Sequence, residues 1–384
     1  FVPLRGTAVD IDLNAIWQEN GTTVAGGNGW GNQSNQLYQP WGLFLDDSET
    51  IYVADSQNHR IMAWTSDATS GEVVAGENGR GNGSHQLSYP RDLVVDKVTD
   101  SFIIADFGNK RVVWWPRQNG THGETILSEI DCLGLTMDEN GSLYVAQYEK
   151  HEVRQYRRGE SNGTKVAGGN GGGSRTDQLN GPRYIFVYRD GSLYVSDWGN
   201  HRVMKWAEGA THGTVVAGGQ GYGSNLTELS YAHGVVVDQL ATVYVADQLN
   251  HRIMRWPKGN TQGNAIIGGN GRGGQPNQLH EPAVNALHET LSSEKNQTDI
   301  NYLIDSIPEA ETLDWLLVLG LQEFAMFAMN NPEILSPDVF DVTIPDLLRI
   351  RDLLATNGTT AVTWRDLKPY ARKALAFFDT WQYH

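Results

Sequence analysis

A single cysteine, Cys132, in 384 residues removes two classes of chemistry at once. No disulfide can form within the chain, and no Cys-x-x-Cys metal or redox motif exists. Long hydrophobic runs are missing as well. The most apolar stretch, LDWLLVLGLQEFAMFAM at 313–329, contains Asp314, Gln322 and Glu323. It falls short of the roughly 20 residues a membrane-crossing helix needs, so a buried helix is expected there and no membrane insertion. Positive charge is scarce: 29 Lys and Arg stand against 45 Asp and Glu, a formal net charge of −16. No basic face for nucleic acid or an anionic membrane is therefore expected. Cofactor signatures are absent too, since GGNGRGG at 268–274 matches a dinucleotide loop in composition but lacks its strand-to-helix setting.

Glycine, by contrast, is abundant, with 43 residues and no Gly-X-Y period. That combination points to many tight turns and an all-β chain. The turns belong to a repeat. YVADSQNHRIMAW begins at residue 52, and relatives follow as IIADFGNKRVVWW, YVAQYEKHEVRQY, YVSDWGNHRVMKW and YVADQLNHRIMRW, at intervals of 51, 41, 50 and 50 residues. Each copy follows an apolar segment such as GLFLDD, and most precede a short strand that ends in a glycine-rich loop such as AGGNG. Units of this length holding several short strands are the mark of a β-propeller. One blade comprises strand a (42–46), strand b (51–54), strand c (60–64) and strand d (72–75). The 41-residue interval reflects a shortened loop in ILSEIDCLGL, not a lost blade.

The Asn-His-Arg run between strands b and c resembles the NHL repeat, a propeller repeat, over roughly residues 10–282. Asp55, Asp106, Asp197 and Asp247 end strand b, each five residues before Arg60, Arg111, Arg202 or Arg252. A carboxylate there suits turn N–H groups or the arginine. The third copy has Gln147 and Glu152 instead, a joint change that fits a pair. Histidines recurring at 59, 151, 201 and 251 are expected to be structural.

Residues that differ between copies are better candidates for function. Strand a lines the channel of a propeller, and the positions at its mouth hold Trp41, Arg91 with Asp92, Gly134, Arg183 with Tyr184, and His233. Guanidinium forks and aromatic rings converging there point to an anionic or glycan-like ligand. The resemblance also implies an enzymatic alternative at the mouth, a metal-dependent lyase or a lactonase-like hydrolase. Such chemistry needs clustered ligands, and only His233 stands near the mouth, so no metal, no cofactor and no catalysis are expected.

Nine Asn-x-Ser/Thr acceptors, at Asn20, Asn32, Asn82, Asn119, Asn140, Asn162, Asn225, Asn296 and Asn357, suggest an N-glycosylated, secreted protein. A start at Phe1 suits a chain whose signal peptide has been removed. Past residue 282 the repeat fades. TIPDLLRIRDLLA from Thr343 has a capping box and helical apolar spacing, and TWRDLKPYARKALAFFDTW from Thr363 repeats the signal. The expected architecture is thus a mainly β, NHL-type propeller over 1–305, followed by a small α-helical module over 306–384 through which copies self-associate. Six blades are expected, the sixth combining Trp17 and GTTVAGG with 283–287 and 301–305; a five-bladed ring with an N-terminal extension is the alternative. The function expected is non-enzymatic binding in the extracellular space, with protein partners or an extracellular assembly.

Overall fold

Twenty strands in five antiparallel sheets make up the regular structure of residues 20–118 and 120–283, the part of the chain that the computed structural model describes. Each sheet is one propeller blade, and its four strands follow chain order. The first blade holds β1 (Pro40–Leu45), β2 (Ile51–Asp55), β3 (Arg60–Trp64) and β4 (Glu72–Ala75). The second holds β5 (Pro90–Asp96), β6 (Ser101–Asp106), β7 (Arg111–Pro116) and β8 (Glu124–Ser128). The third is β9 (Cys132–Met137), β10 (Leu143–Gln147), β11 (Glu152–Tyr156) and β12 (Thr164–Gly168). The fourth is β13 (Pro182–Val187), β14 (Leu193–Asp197), β15 (Arg202–Trp206) and β16 (Thr214–Gly218). The fifth is β17 (Ala232–Val237), β18 (Val243–Asp247), β19 (Arg252–Trp256) and β20 (Asn264–Gly268). Inner strands neighbour one another in sequence from β1 to β17, and Trp41 in β1 meets His233 of β17 with ring centres 5.2 Å apart.

The core lies between blades. Phe44 and Tyr52 pack with Leu93 and Phe102 of the second blade, and Val94 and Ile103 with Leu135 and Val145 of the third. Tyr144 and Val153 likewise meet Ile185 and Val195, and Tyr184 and Tyr194 meet Val235 and Val245. Strands buried on both faces need no polar alternation, which is why segments such as DLVVD and VYVAD read as apolar runs.

The Asn-His-Arg run joins each blade to its flanking loops. The carboxylates of Asp55, Asp106, Asp197 and Asp247 are fully buried and accept from the Nε of Arg60, Arg111, Arg202 and Arg252 at 2.7–2.8 Å. Their other oxygen accepts a backbone N–H from the preceding loop, at Tyr38, Ser88, Asn180 and Ser230. The residue before each arginine is left-handed, with φ of 58° at His59, 55° at His201 and 53° at His251. His59, His151, His201 and His251 each accept, through Nδ1, the backbone N–H of the following loop at Tyr89, Gly181, Tyr231 and Glu281. In the third blade Gln147 donates to the Tyr156 hydroxyl and Glu152 accepts from Arg154, so the substituted pair has new partners.

Among the described residues there are five blades, not the expected six. Residues 22–27, assigned to the outer strand of the sixth, form no strand. An outermost strand exists only by pairing with strand c of its own blade, and Trp17, which was to supply that strand, lies outside the described residues. So do 284–287, 301–305 and the expected helical module, 306–384. The Gly21 N–H donates to the Pro276 carbonyl at 2.8 Å, the contact that Gly71 and Gly263, the residues just before β4 and β20, make with Ser34 and Leu226.

Candidate functional site

Strand a begins, and the turn after strand b ends, at the same edge of every blade, and side chains from both meet at the channel mouth. Arg91 has its guanidinium carbon 3.9 Å from the centre of the Trp41 ring and 5.3 Å from that of Phe107. Arg183 lies 4.1 Å from Trp198, 5.3 Å from Trp41 and 5.7 Å from Tyr148. The two cations and the rings thus form a run from Phe107 through Arg91, Trp41 and Arg183 to Trp198. Neither arginine forms an ion pair among the described residues, and the Nε of each is buried without a hydrogen-bond partner. Burial lowers the pKa of Arg91 and takes that of Arg183 down to about 10, so both remain charged at neutral pH. Ring faces, in place of a counter-ion, offset their desolvation.

His233 stands behind this run and is fully buried. Its Nδ1–H donates to the Ala283 carbonyl, and its Nε2 accepts from Arg183 Nη1 at 3.3 Å. Burial first, then the charge of Arg183, hold its pKa at about 3. It is neutral with both nitrogens engaged, so it positions Arg183. Tyr184 is also buried, with its hydroxyl 3.4 Å from the Arg91 carbonyl oxygen. Asp92 is fully buried and accepts the N–H groups of Leu93 and of Leu135 in the third blade at 2.9 and 2.8 Å. It ties two blades together. Of the six expected mouth residues, the structure brings Trp41, Arg91 and Arg183 into one cluster, with Asp92, Tyr184 and His233 buried beside it. Gly134 occupies the corresponding place in β9 because a Cβ there would lie 2.1 Å from the Arg183 carbonyl oxygen.

Phe107, Tyr148 and Trp198 are site residues that the sequence reasoning passed over. They occupy one repeat position, the residue after strand b, which holds Ser56, Phe107, Tyr148, Trp198 and Gln248 in the five copies. Its variation, one place after a position that is Asp in four of the five copies, is the signal that was present. Amides complete the rim: Gln57 donates to Gln39 at 2.9 Å, and the Trp198 indole donates to Gln248 at 3.3 Å.

A second cavity, of about 620 Å³, opens between the third and fourth blades and includes Tyr144, Arg158, Tyr188 and Asp190. Two of its charged side chains are paired, Arg158 with Asp96 at 2.9 Å and Asp190 with Lys205 at 3.5 Å. Among the described residues no three His, Cys, Asp or Glu side chains converge as metal ligands, and no helix is long and apolar enough to cross a membrane. Asn20, Asn32, Asn82, Asn140, Asn162 and Asn225 are exposed, whereas Asn119, Asn296 and Asn357 lie outside the described residues.

A family model described as NHL repeat matches residues 37–62, which run from the loop before β1 to the middle of β3. No curated protein matches the chain. Among solved structures, a protein of unknown function from Bacteroides thetaiotaomicron VPI-5482 has a TM-score of 0.54 and 16% identity over 69% of this chain and 70% of its own. An auxiliary nutrient binding protein from the same organism gives a TM-score of 0.48 and 17% identity over 74% of this chain and 70% of its own. A streptogramin B lyase gives 0.43 and 9% over 61% and 68%. At such identities the likeness is one of fold.

Proposed function

We propose that this chain, an NHL-repeat β-propeller, is a secreted, N-glycosylated binding protein that holds an anion-bearing ligand at its channel mouth without transforming it. The observation that carries this reading is the pair Arg91 and Arg183, two cations set among rings with no carboxylate partner among the described residues. A mouth of that kind attracts and orients an anion within a chain whose net charge is −16. Turnover needs a group that takes or gives a proton near neutral pH, and His233, at about 3 and with both nitrogens engaged, is unsuited to that work. The six exposed glycan acceptors support the extracellular setting. Self-association through 306–384 rests on the sequence alone.

A thermal-shift series on the full chain with sulfate, phosphate, citrate and neutral sugars tests the reading, with Arg183→Gln measured alongside. A ligand at 100 times its dissociation constant stabilises the folded state by about 2.7 kcal/mol. At least one anion should raise the melting temperature of the parent chain and fail on the variant. Equal shifts in both, or no shift from any anion, sink the proposal. Chemical change in the recovered ligand sinks its non-enzymatic part.

A further inference from the structure

The stacking at the mouth restricts what can bind there. A guanidinium set among rings at 3.9–5.7 Å offers a ligand its in-plane N–H edge, where two parallel donors match the two oxygens of a carboxylate or of a sulfate or phosphate ester. Arg183 has already committed Nη1 to His233, which leaves its Nε side, and the Nε of Arg91 is likewise unpartnered. Ring faces, conversely, are in short supply for a flat aromatic ligand. Trp198 is in contact with Arg183 at 4.1 Å and with Tyr231 at 4.3 Å, and Trp41 with both arginines.

What remains around the two forks is suited to hydroxyl groups. Gln39, Gln57 and Gln248 present planar amides, each able to donate and accept, at the rim. Further out along the same blade edge, the residue just after the glycine-rich runs AGGNG and AGGQG is Trp30, 79% exposed, and Tyr222, 62% exposed. Trp30 is stacked on Tyr38 and Tyr222 meets His201 edge-on, so the remaining exposed face of each is a stacking platform for the apolar face of a sugar ring.

Resting on the anion-binding reading above, we infer that the ligand is an acidic sugar, its carboxylate or sulfate ester gripped edge-on by Arg91 and Arg183 and its hydroxyls met by the glutamine rim. A longer acidic oligosaccharide continues outward over Tyr222 or Trp30. The chemistry shared by the two sources is an oxyanion on a polyhydroxylated ring.

Isothermal titration of the full chain tests this with five probes: an oligogalacturonide, a sulfated oligosaccharide of equal length, a neutral oligosaccharide, ATP and inorganic sulfate. One acidic sugar should bind about tenfold or more tighter than the other four probes, and the winner identifies carboxylate or sulfate ester as the source. Arg183→Lys, which keeps the charge but loses the fork, should weaken that binding about tenfold. Gln57→Ala should weaken the sugar and leave inorganic sulfate unchanged, which keeps the test open if the arginine variant folds poorly. ATP or inorganic sulfate binding as tightly as the sugars overturns the sugar assignment while the anion site stands. Sugar binding that ignores both substitutions overturns the mouth as the site.

Discussion

Arg252 Nε donates to Asp247 Oδ2 at 2.7 Å, and that carboxylate also accepts from the Ser230 N–H and the Asn250 amide. Burial nevertheless pushes the Asp247 pKa up, against all three donors. Such a pair adds little net stability, but breaking it is costly, because a charge is left buried without its partner.

Asp247→Ala is expected to destabilise the propeller by about 3 kcal/mol, and Arg252→Ala by a comparable amount. The double variant should lose clearly less than the sum, since the second change removes the group that the first orphaned. Urea melts of the four proteins give the cycle, and strictly additive losses would show that the two side chains act independently.

Stability should also depend on the interblade histidines. Burial, and then Arg80, lowers the pKa of His59, which faces Asp55 and Asp106 as well; burial lowers that of His201, which faces Asp197 and Asp247. A base whose folded pKa lies below its unfolded value binds fewer protons in the folded state between the two. The contribution is therefore complete above the ordinary histidine value of about 6.5 and is lost as pH falls through the window below it. Protonation at Nδ1 would at the same time remove the acceptor for the Tyr89 and Tyr231 N–H groups. The melting temperature should be flat from about pH 8 to 7 and fall toward pH 5.5. His201→Asn, which tolerates the left-handed turn but titrates nothing, should shallow that slope. An unchanged slope would remove His201 from the account.

Gly134→Ala should cost about 1–3 kcal/mol, the range for forcing volume into a packed site. Its Cβ would sit 2.1 Å from the Arg183 carbonyl oxygen and 3.0 Å from the Tyr184 Cα, so β9 and β13 would have to part. Because the displaced residue is Arg183, anion binding should weaken together with stability. Thermal melts and titrations on one preparation check both.

Glycans should occupy at least four of the nine acceptors in protein from its native source. Asn32, Asn82 and Asn225 have side chains that are exposed while their backbone carbonyls are held by Arg60, Arg111 and Arg252, so a sugar there does not disturb the loop. Intact mass before and after deglycosylation decides it, and an unmodified mass would remove the main support for secretion.

Much of this fold was legible because repetition separates what every blade needs from what one blade has. Strand c at Arg60–Trp64 and strand d at Glu72–Ala75 came directly from the copies, as did the Asp and Arg positions. Among the mouth residues, Trp41, Arg91 and Arg183 were found by the same comparison. The rest was less visible. Asp92 was taken for a mouth residue since it neighbours Arg91, but adjacent residues on a strand point to opposite faces. Phe107, Tyr148 and Trp198 were hidden inside a turn whose neighbours repeat. The stacking of the arginines joins residues from four blades, and no spacing along the chain encodes it. The blade number failed for a related reason, since a sixth blade drawn from both ends of the chain depends on pairings that no single repeat contains.

The bond from the Gly21 N–H to the Pro276 carbonyl sets an order in time. A ribosome adding about 5–20 residues per second makes the acceptor tens of seconds after the donor has emerged. The loop that receives Gly21 follows the last strand of the fifth blade, so a segment made before all five blades finds its place only after them. Throughout that interval the nascent chain carries an unmatched segment ahead of its first blade, and the later-made residues near Pro276 decide when it docks.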